Sequence, residues 1–155
     1  MFIIVIISSF MLCALMEYLL HKFYLHKSSG HPHISEHHVL FHGNKTYEVA
    51  DASYKDIVSN ICYIIFSWLP CGIIGFMMYP QFPKLGTLFA TIGFFYLLWV
   101  ETAHYLFHKP HYYFIEDGPI FKKLKEHHRI HHIYYKTNFG IGSTLWDRIL
   151  NTKKK

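Results

Sequence analysis

Three apolar runs of bilayer length alternate with two bands of histidine along this chain, and that alternation restricts the fold more than any other feature. The runs cover residues 1–20, 57–79 and 86–107. A helix needs about 20 apolar residues to cross a bilayer. The first run carries one charged residue, Glu17, the second none, and the third only Glu101. In hydrocarbon the backbone must satisfy its own polar groups, so such runs are read as helices. The chain has 155 residues, of which 52% are hydrophobic and 19% aromatic. That length fits one domain, residues 1–155. The expected fold is all-α and integral to a membrane, with about three transmembrane helices and a histidine-rich helical cap. A soluble helical core is the alternative, and three such runs in so short a chain weigh against it.

The first run is expected to be a retained anchor. It has no basic segment before it, unlike a cleaved signal, and His21 follows it at once. Cys13, Cys62 and Cys71 all fall inside the runs, an odd number without metal-ligand spacing, and read as small apolar residues. Further along, a short helix is expected over residues 34–41, a polar connector over 43–52, a kink near Pro70 and Gly72, an amphipathic helix over 120–135, a loop over 138–142 and a last helix over 145–150.

Topology brings the histidines together. If the first helix crosses once, the segment 21–42 lies on its exit side. The second and third runs form a hairpin through Pro80–Lys84, which returns the chain to the same side, where the segment 104–132 begins. Of 15 Lys and Arg, 14 lie on the histidine side and only Lys84 opposite. The positive-inside rule then makes the histidine face cytoplasmic. This would be endoplasmic reticulum in a eukaryote or the inner membrane in a bacterium. The net charge of +5 is explained by anionic headgroups and calls for no nucleic acid. Lys153–Lys155 is expected as a solvated tail.

Fourteen histidines are present, and ten carry ligand spacings: His21 and His26; His33, His37 and His38; His104 and His108; His128, His131 and His132. Imidazole is a common ligand for zinc, iron, copper and nickel. Ten exceed what one ion can use, so the arithmetic points to two metals in one site. His104 and His108 share a helix face, as do His128, His131 and His132. His21 and His26 lie about 140° apart on an ideal helix, so they converge only if the helix ends or bulges between them. A lone His-x3-His is a weak signal; all four groups on one membrane face are a strong one. His31, His42, His111 and His127 are read as hydrogen-bonding or interfacial, although His127 could take the place of His128. Glu17 and Glu101 are candidates to hold a histidine N–H and fix its tautomer. Asp147 could do the same, or form a surface ion pair. Glu36 and Glu126 read as solvated.

These motifs resemble the fatty acid hydroxylase superfamily, whose pattern is HxxxxH, HxxHH or HxxxHH, HxxxH and HxxHH. The likeness runs from Glu17 to Thr152. His104-Tyr105-Leu106-Phe107-His108 is similar to the third box and His128-Arg129-Ile130-His131-His132 to the fourth. The segment Asn138 to Arg148 resembles the family's closing segment, with Asn151-Thr152 in place of its usual final Gly-Thr. That tail is similar to the lipid and sterol branch, and the close spacing of the first two boxes to the carotenoid hydroxylases. The resemblance implies a non-haem oxygenase with two iron ions, zinc being an alternative on isolation, and O2 as co-substrate. It implies hydroxylation or desaturation of a membrane lipid: fatty acyl, sphingolipid or sterol. Electrons would come from an external donor of cytochrome or ferredoxin type with its reductase. The non-enzymatic alternatives are a metal-binding membrane protein and a metal transporter. A transporter would place ligands near the bilayer midplane, whereas these sit at helix ends.

Overall fold

The structure, a computed structural model, describes residues 1–26, 54–108 and 113–155, with side chains from residue 63 onward in the second of these. Among the described residues it is all-helical, without a strand. Helix α1 spans Phe2–Leu20 and continues as a π turn over His21–Leu25. Helix α2 spans Tyr54–Met78 and runs unbroken past Pro70. Helix α3 spans Pro83–His108. A short 3-10 turn, Phe114–Asp117, leads into α4, Pro119–Ile133, and α5 spans Leu145–Ile149.

The first three helices pack together, and their polar contacts give their directions. On α1, Ser9 Oγ donates to the Phe89 carbonyl at 2.6 Å and Cys13 Sγ to that of Gly93 at 3.4 Å, while Tyr96 OH donates to Glu17. The partners on α3 climb as α1 climbs, so α1 and α3 run parallel. Against α2 the order reverses: Cys71 Sγ reaches the Ser9 carbonyl at 3.7 Å, Cys13 Sγ that of Ser67 at 3.8 Å, and Tyr63 OH that of Glu17 at 3.3 Å. Helix α2 is therefore antiparallel to both. The C-terminal ends of α1 and α3 consequently meet at one end of the bundle, and both carry histidines.

Helices α2 and α3 come close at two glycines. A side-chain carbon on Gly75 would meet the Gly86 carbonyl, and one on Gly86 the Gly75 carbonyl. Proline at the first position suits the start of α3, since the missing N–H there has no intrahelical partner. It opens α3 three residues before the expected run. The expected helix over 120–135 instead covers Pro119–Ile133, because Tyr134 leaves helical geometry at φ −125° and ψ 75°.

α1 and α3 are long and apolar enough to cross a membrane, by length and composition; the described part of α2, Tyr63–Met78, is a shorter apolar helix. Ile3, Ile7, Phe66, Ile73, Phe76, Phe94 and Phe95 all point outward. An apolar exterior of this extent suits lipid rather than water. The core between the helices holds Val5, Cys13, Ala14, Cys71, Phe89, Leu97, Val100 and Phe107. Cys13 and Cys71 are free and buried. The 34–41 helix, the 43–52 connector and the Cys62 side chain lie outside what the structure describes.

Candidate metal centre

Two groups of histidine form at the shared end of α1 and α3, and α4 contributes to both. His21, His26 and His131 bring one ligand nitrogen each within 4.8 Å of one another, and so do His104, His108 and His128. His132 joins the second group, with its Nε2 3.0 Å from that of His128. The two groups adjoin along α4, where the His128 and His131 rings lie 5.8 Å apart. His33, His37 and His38, with His31, His42 and His111, lie outside the described residues.

Each pair is placed by its local backbone. His104 and His108 stand one turn apart on α3. His21 and His26 are brought together by the π turn, whose defining bond runs from the His26 N–H to the His21 carbonyl at 3.2 Å. A π turn closes between residues five apart, and the two rings end 4.9 Å apart. This is the bulge that the spacing demanded.

The donor geometry fits a cation. His108 Nε2 lies 2.9 Å from His128 Nε2, and His132 Nε2 lies 3.0 Å from the same atom. A neutral imidazole nitrogen offers either one N–H or one lone pair, so it has no second site for a well-formed hydrogen bond to two neighbours. Ligand nitrogens about 2.0–2.1 Å from a metal sit roughly 3 Å from one another, which is the spacing found. In the other group the tautomers are fixed by chemistry. His21 Nδ1 lies 2.5 Å from the Phe139 carbonyl, and His131 Nδ1 lies 2.6 Å from that of Thr137. A carbonyl only accepts, so both Nδ1 atoms carry the proton and each Nε2 keeps its lone pair for the cluster.

Most of the site is also buried. His21, His128, His131 and His132 are wholly buried. Burial, reinforced by the nearby His132, holds His128 well below the ordinary imidazole range. Burial, with His26 adding to it, takes His131 down to about 3. Both rings are therefore neutral, the form that binds metal.

A match to the fatty acid hydroxylase family covers residues 6–152. The chain belongs to the fatty acid hydroxylase family. It is 30% identical over 162 residues to a fatty acid 2-hydroxylase of Rattus norvegicus, a match that takes in 97% of this chain and 40% of that protein. With the ceramide very long chain fatty acid hydroxylase of Schizosaccharomyces pombe it shares 28% identity over 145 residues, covering 90% of this chain and 39% of the other. The chain thus spans about 40% of the length of the relatives it matches. No solved structure gives a significant match.

Three expectations about this fatty acid hydroxylase family member need correction. Glu17 takes up no N–H from a described histidine. Its carboxylate accepts from Tyr96 OH and from the Ile141 N–H, while the His21 proton goes to Phe139. Glu101 is half-buried on α3 and makes no hydrogen bond to a described histidine. The lysine tail is exposed at Lys154 and Lys155, as expected, but its backbone is not free. The Lys154 N–H donates to Asn138 Oδ1 at 2.6 Å, Asn138 Nδ2 donates to the Lys154 carbonyl at 3.1 Å, and the Lys153 N–H reaches the Asp147 carbonyl at 2.9 Å.

His127, the rival to His128, points elsewhere: its Nε2 lies 3.0 Å from Asp147 Oδ2. Asp147 is wholly buried rather than part of a surface pair. Burial raises its carboxyl, but bonds from His127, Thr152 and Gly140 outweigh that and hold it below the usual carboxylate value. Glu126 is exposed and pairs with Arg129 at 2.7 Å. The sequence reading missed Thr137, Phe139 and Thr152. Their backbone carbonyls act, and carbonyls have no residue signature. Asn138 offered one: it sits at φ 56°, a left-handed conformation that Asn tolerates better than most residues.

Proposed function

We propose that this chain is the membrane domain of an O2-dependent lipid hydroxylase in which the ten spaced histidines hold two iron ions. The observation that carries the reading is the pair of histidine groups sharing α4, with nitrogens at metal-ligand separation in a buried, apolar setting. The described members are His21, His26, His104, His108, His128, His131 and His132; His33, His37 and His38 complete the set. Imidazole resists oxidation better than thiolate, which suits iron that activates dioxygen. When bound, the two irons supply oxidising power sufficient for an unactivated C–H bond. The chain's own part is to fix the nitrogens, to exclude water and to place one carbon of the substrate.

The relatives are named as a fatty acid 2-hydroxylase and a ceramide very long chain fatty acid hydroxylase, so a fatty acyl chain is the proposed substrate ahead of a sterol or a carotenoid. Hydroxylation is favoured over desaturation on the same ground. With α2 as a third span completing the hairpin, the excess of Lys and Arg on the histidine side favours the cytoplasmic face, where an acyl chain enters from the leaflet. Electrons come from an external cytochrome- or ferredoxin-type donor with its reductase, and the basic face suits an acidic carrier.

The test is expression of the wild type and of His104→Ala/His131→Ala in cells without their own fatty acid hydroxylase, grown under isotopic dioxygen. The wild type should yield acyl chains with one added, labelled oxygen, and the double variant none. Identical lipid profiles would leave a non-catalytic metal-binding protein as the better reading.

A further inference from the structure

We propose that Asp147 positions His21 and His131 as metal ligands by acting through peptide groups, without touching either ring. The proposal rests on the dinuclear reading above and deepens it. Asp147 Oδ2 accepts the Gly140 N–H at 2.7 Å. That N–H shares a peptide group with the Phe139 carbonyl, which accepts from His21 Nδ1 at 2.5 Å. Carboxylate, peptide and imidazole therefore stand in series, with Nε2 at the far end. Hydrogen bonds in series polarise one another, most of all in a dry interior. The negative charge on Asp147 pushes electron density across the amide onto the Phe139 oxygen. That strengthens the bond from Nδ1 and makes Nε2 a better donor to a cation. Metal-bound histidines often use a carboxylate or a carbonyl in this outer position; here one is placed behind the other.

A second arm reaches His131. Its Nδ1 donates to the Thr137 carbonyl at 2.6 Å. The N–H of that peptide group belongs to Asn138 and donates to the Thr152 carbonyl at 3.0 Å. Thr152 is itself held by Asp147, through Oγ1 to Oδ1 at 2.7 Å and through its N–H to the Asp147 carbonyl at 2.8 Å. The Phe139 N–H closes the arrangement on Oδ1 at 2.8 Å. One aspartate thus fixes both peptide groups that face the cluster of His21, His26 and His131. Gly140 makes the approach feasible, since a side-chain carbon there would meet Asp147 Oδ2 and the Ser143 carbonyl.

Asp147 also accepts from His127 Nε2, a residue outside both groups, and that contact separates the two roles Asp147 could have. If Asp147 serves only to hold the fold, the His127 contact matters as much as the peptide chain does. The test is cobalt(II) titration of the metal-free, detergent-purified full chain, read by its d–d absorption. The wild type takes two equivalents. Asp147→Asn weakens one of them by about 10–100-fold, the range found for outer partners of metal-bound histidine. The equivalent that His104→Ala weakens stays unchanged. Combined with His21→Ala, Asp147→Asn weakens binding by less than it does alone, because only the arm to His131 remains. His127→Asn leaves both equivalents at wild-type affinity. Unchanged cobalt affinity in folded Asp147→Asn overturns the proposal. Equal weakening of both equivalents does so too, as does a loss in His127→Asn that matches it. If Asp147→Asn does not fold, Thr152→Val decides. It removes one donor to Oδ1, and a smaller weakening of the same equivalent is expected; unchanged affinity overturns the relay. A wild type that takes fewer than two equivalents instead overturns the dinuclear reading itself.

Discussion

Gly140 has no room for a side-chain carbon, because Asp147 Oδ2 and the Ser143 carbonyl already occupy that space. Forcing one in should cost about 1–3 kcal/mol, the usual penalty for overpacking. Gly140→Ala is therefore expected to lower the thermal unfolding midpoint of the metal-free protein, and an unchanged midpoint would contradict the packing described. The histidines make a second prediction at this scale. Burial, together with nearby imidazoles, puts His128 well below 6.5 and His131 at about 3. An unfolded chain takes up these protons near 6.5, while the folded chain resists them until far lower pH. The unfolded state binds more protons across that window, so stability must fall as pH falls from 6.5 towards 3. Metal-free protein should show this decline by thermal scan, and His131→Gln should flatten part of it. A midpoint constant over that range would sink the claim that these rings are neutral and buried. The histidines that gather in the two described groups were legible in the sequence because imidazoles recur there at helical spacing. Their supports were not. Glu17 lies four residues before His21 and looked like its partner, but it bonds Ile141, 124 positions away. Contacts of that range leave no local pattern.

Among the elements, the π turn at His21–Leu25 shows how far spacing can be read. Five-residue spacing on an α-helix would have splayed His21 and His26 apart, so a distortion was required, and the backbone supplies it. Inserting one alanine after Phe23 would carry His26 beyond the closure of the π turn. The expected outcome is weakened binding at the His21–His26–His131 group with little change at the other, measured by cobalt titration. Equal binding in the insertion variant would show that the turn does not matter. Apolar run length gave the three long helices to within a few residues. The ends moved where local chemistry took over: Pro83 starts α3 early, and Tyr134 ends α4 two residues short. The docking of residues 152–154 was illegible, because three lysines in a row look solvated from composition alone. It is their backbone that is held, by Asn138 and Asp147.

For the whole molecule, the parallel climb of α1 and α3 is what gathers the histidines at one end. With α2 as the third span, the hairpin loop faces the opposite side. Single cysteines at Lys84 and Lys123, both exposed positions, should react with an impermeant thiol reagent from opposite sides of sealed vesicles. Labelling of both from one side would rule out the three-span arrangement. The central claim is that two ions share the histidine site, and metal content tests it most directly. Elemental analysis of the detergent-purified chain should find close to two metals per molecule, largely lost in His104→Ala/His131→Ala. One metal or none, unaltered by the double substitution, would contradict the account.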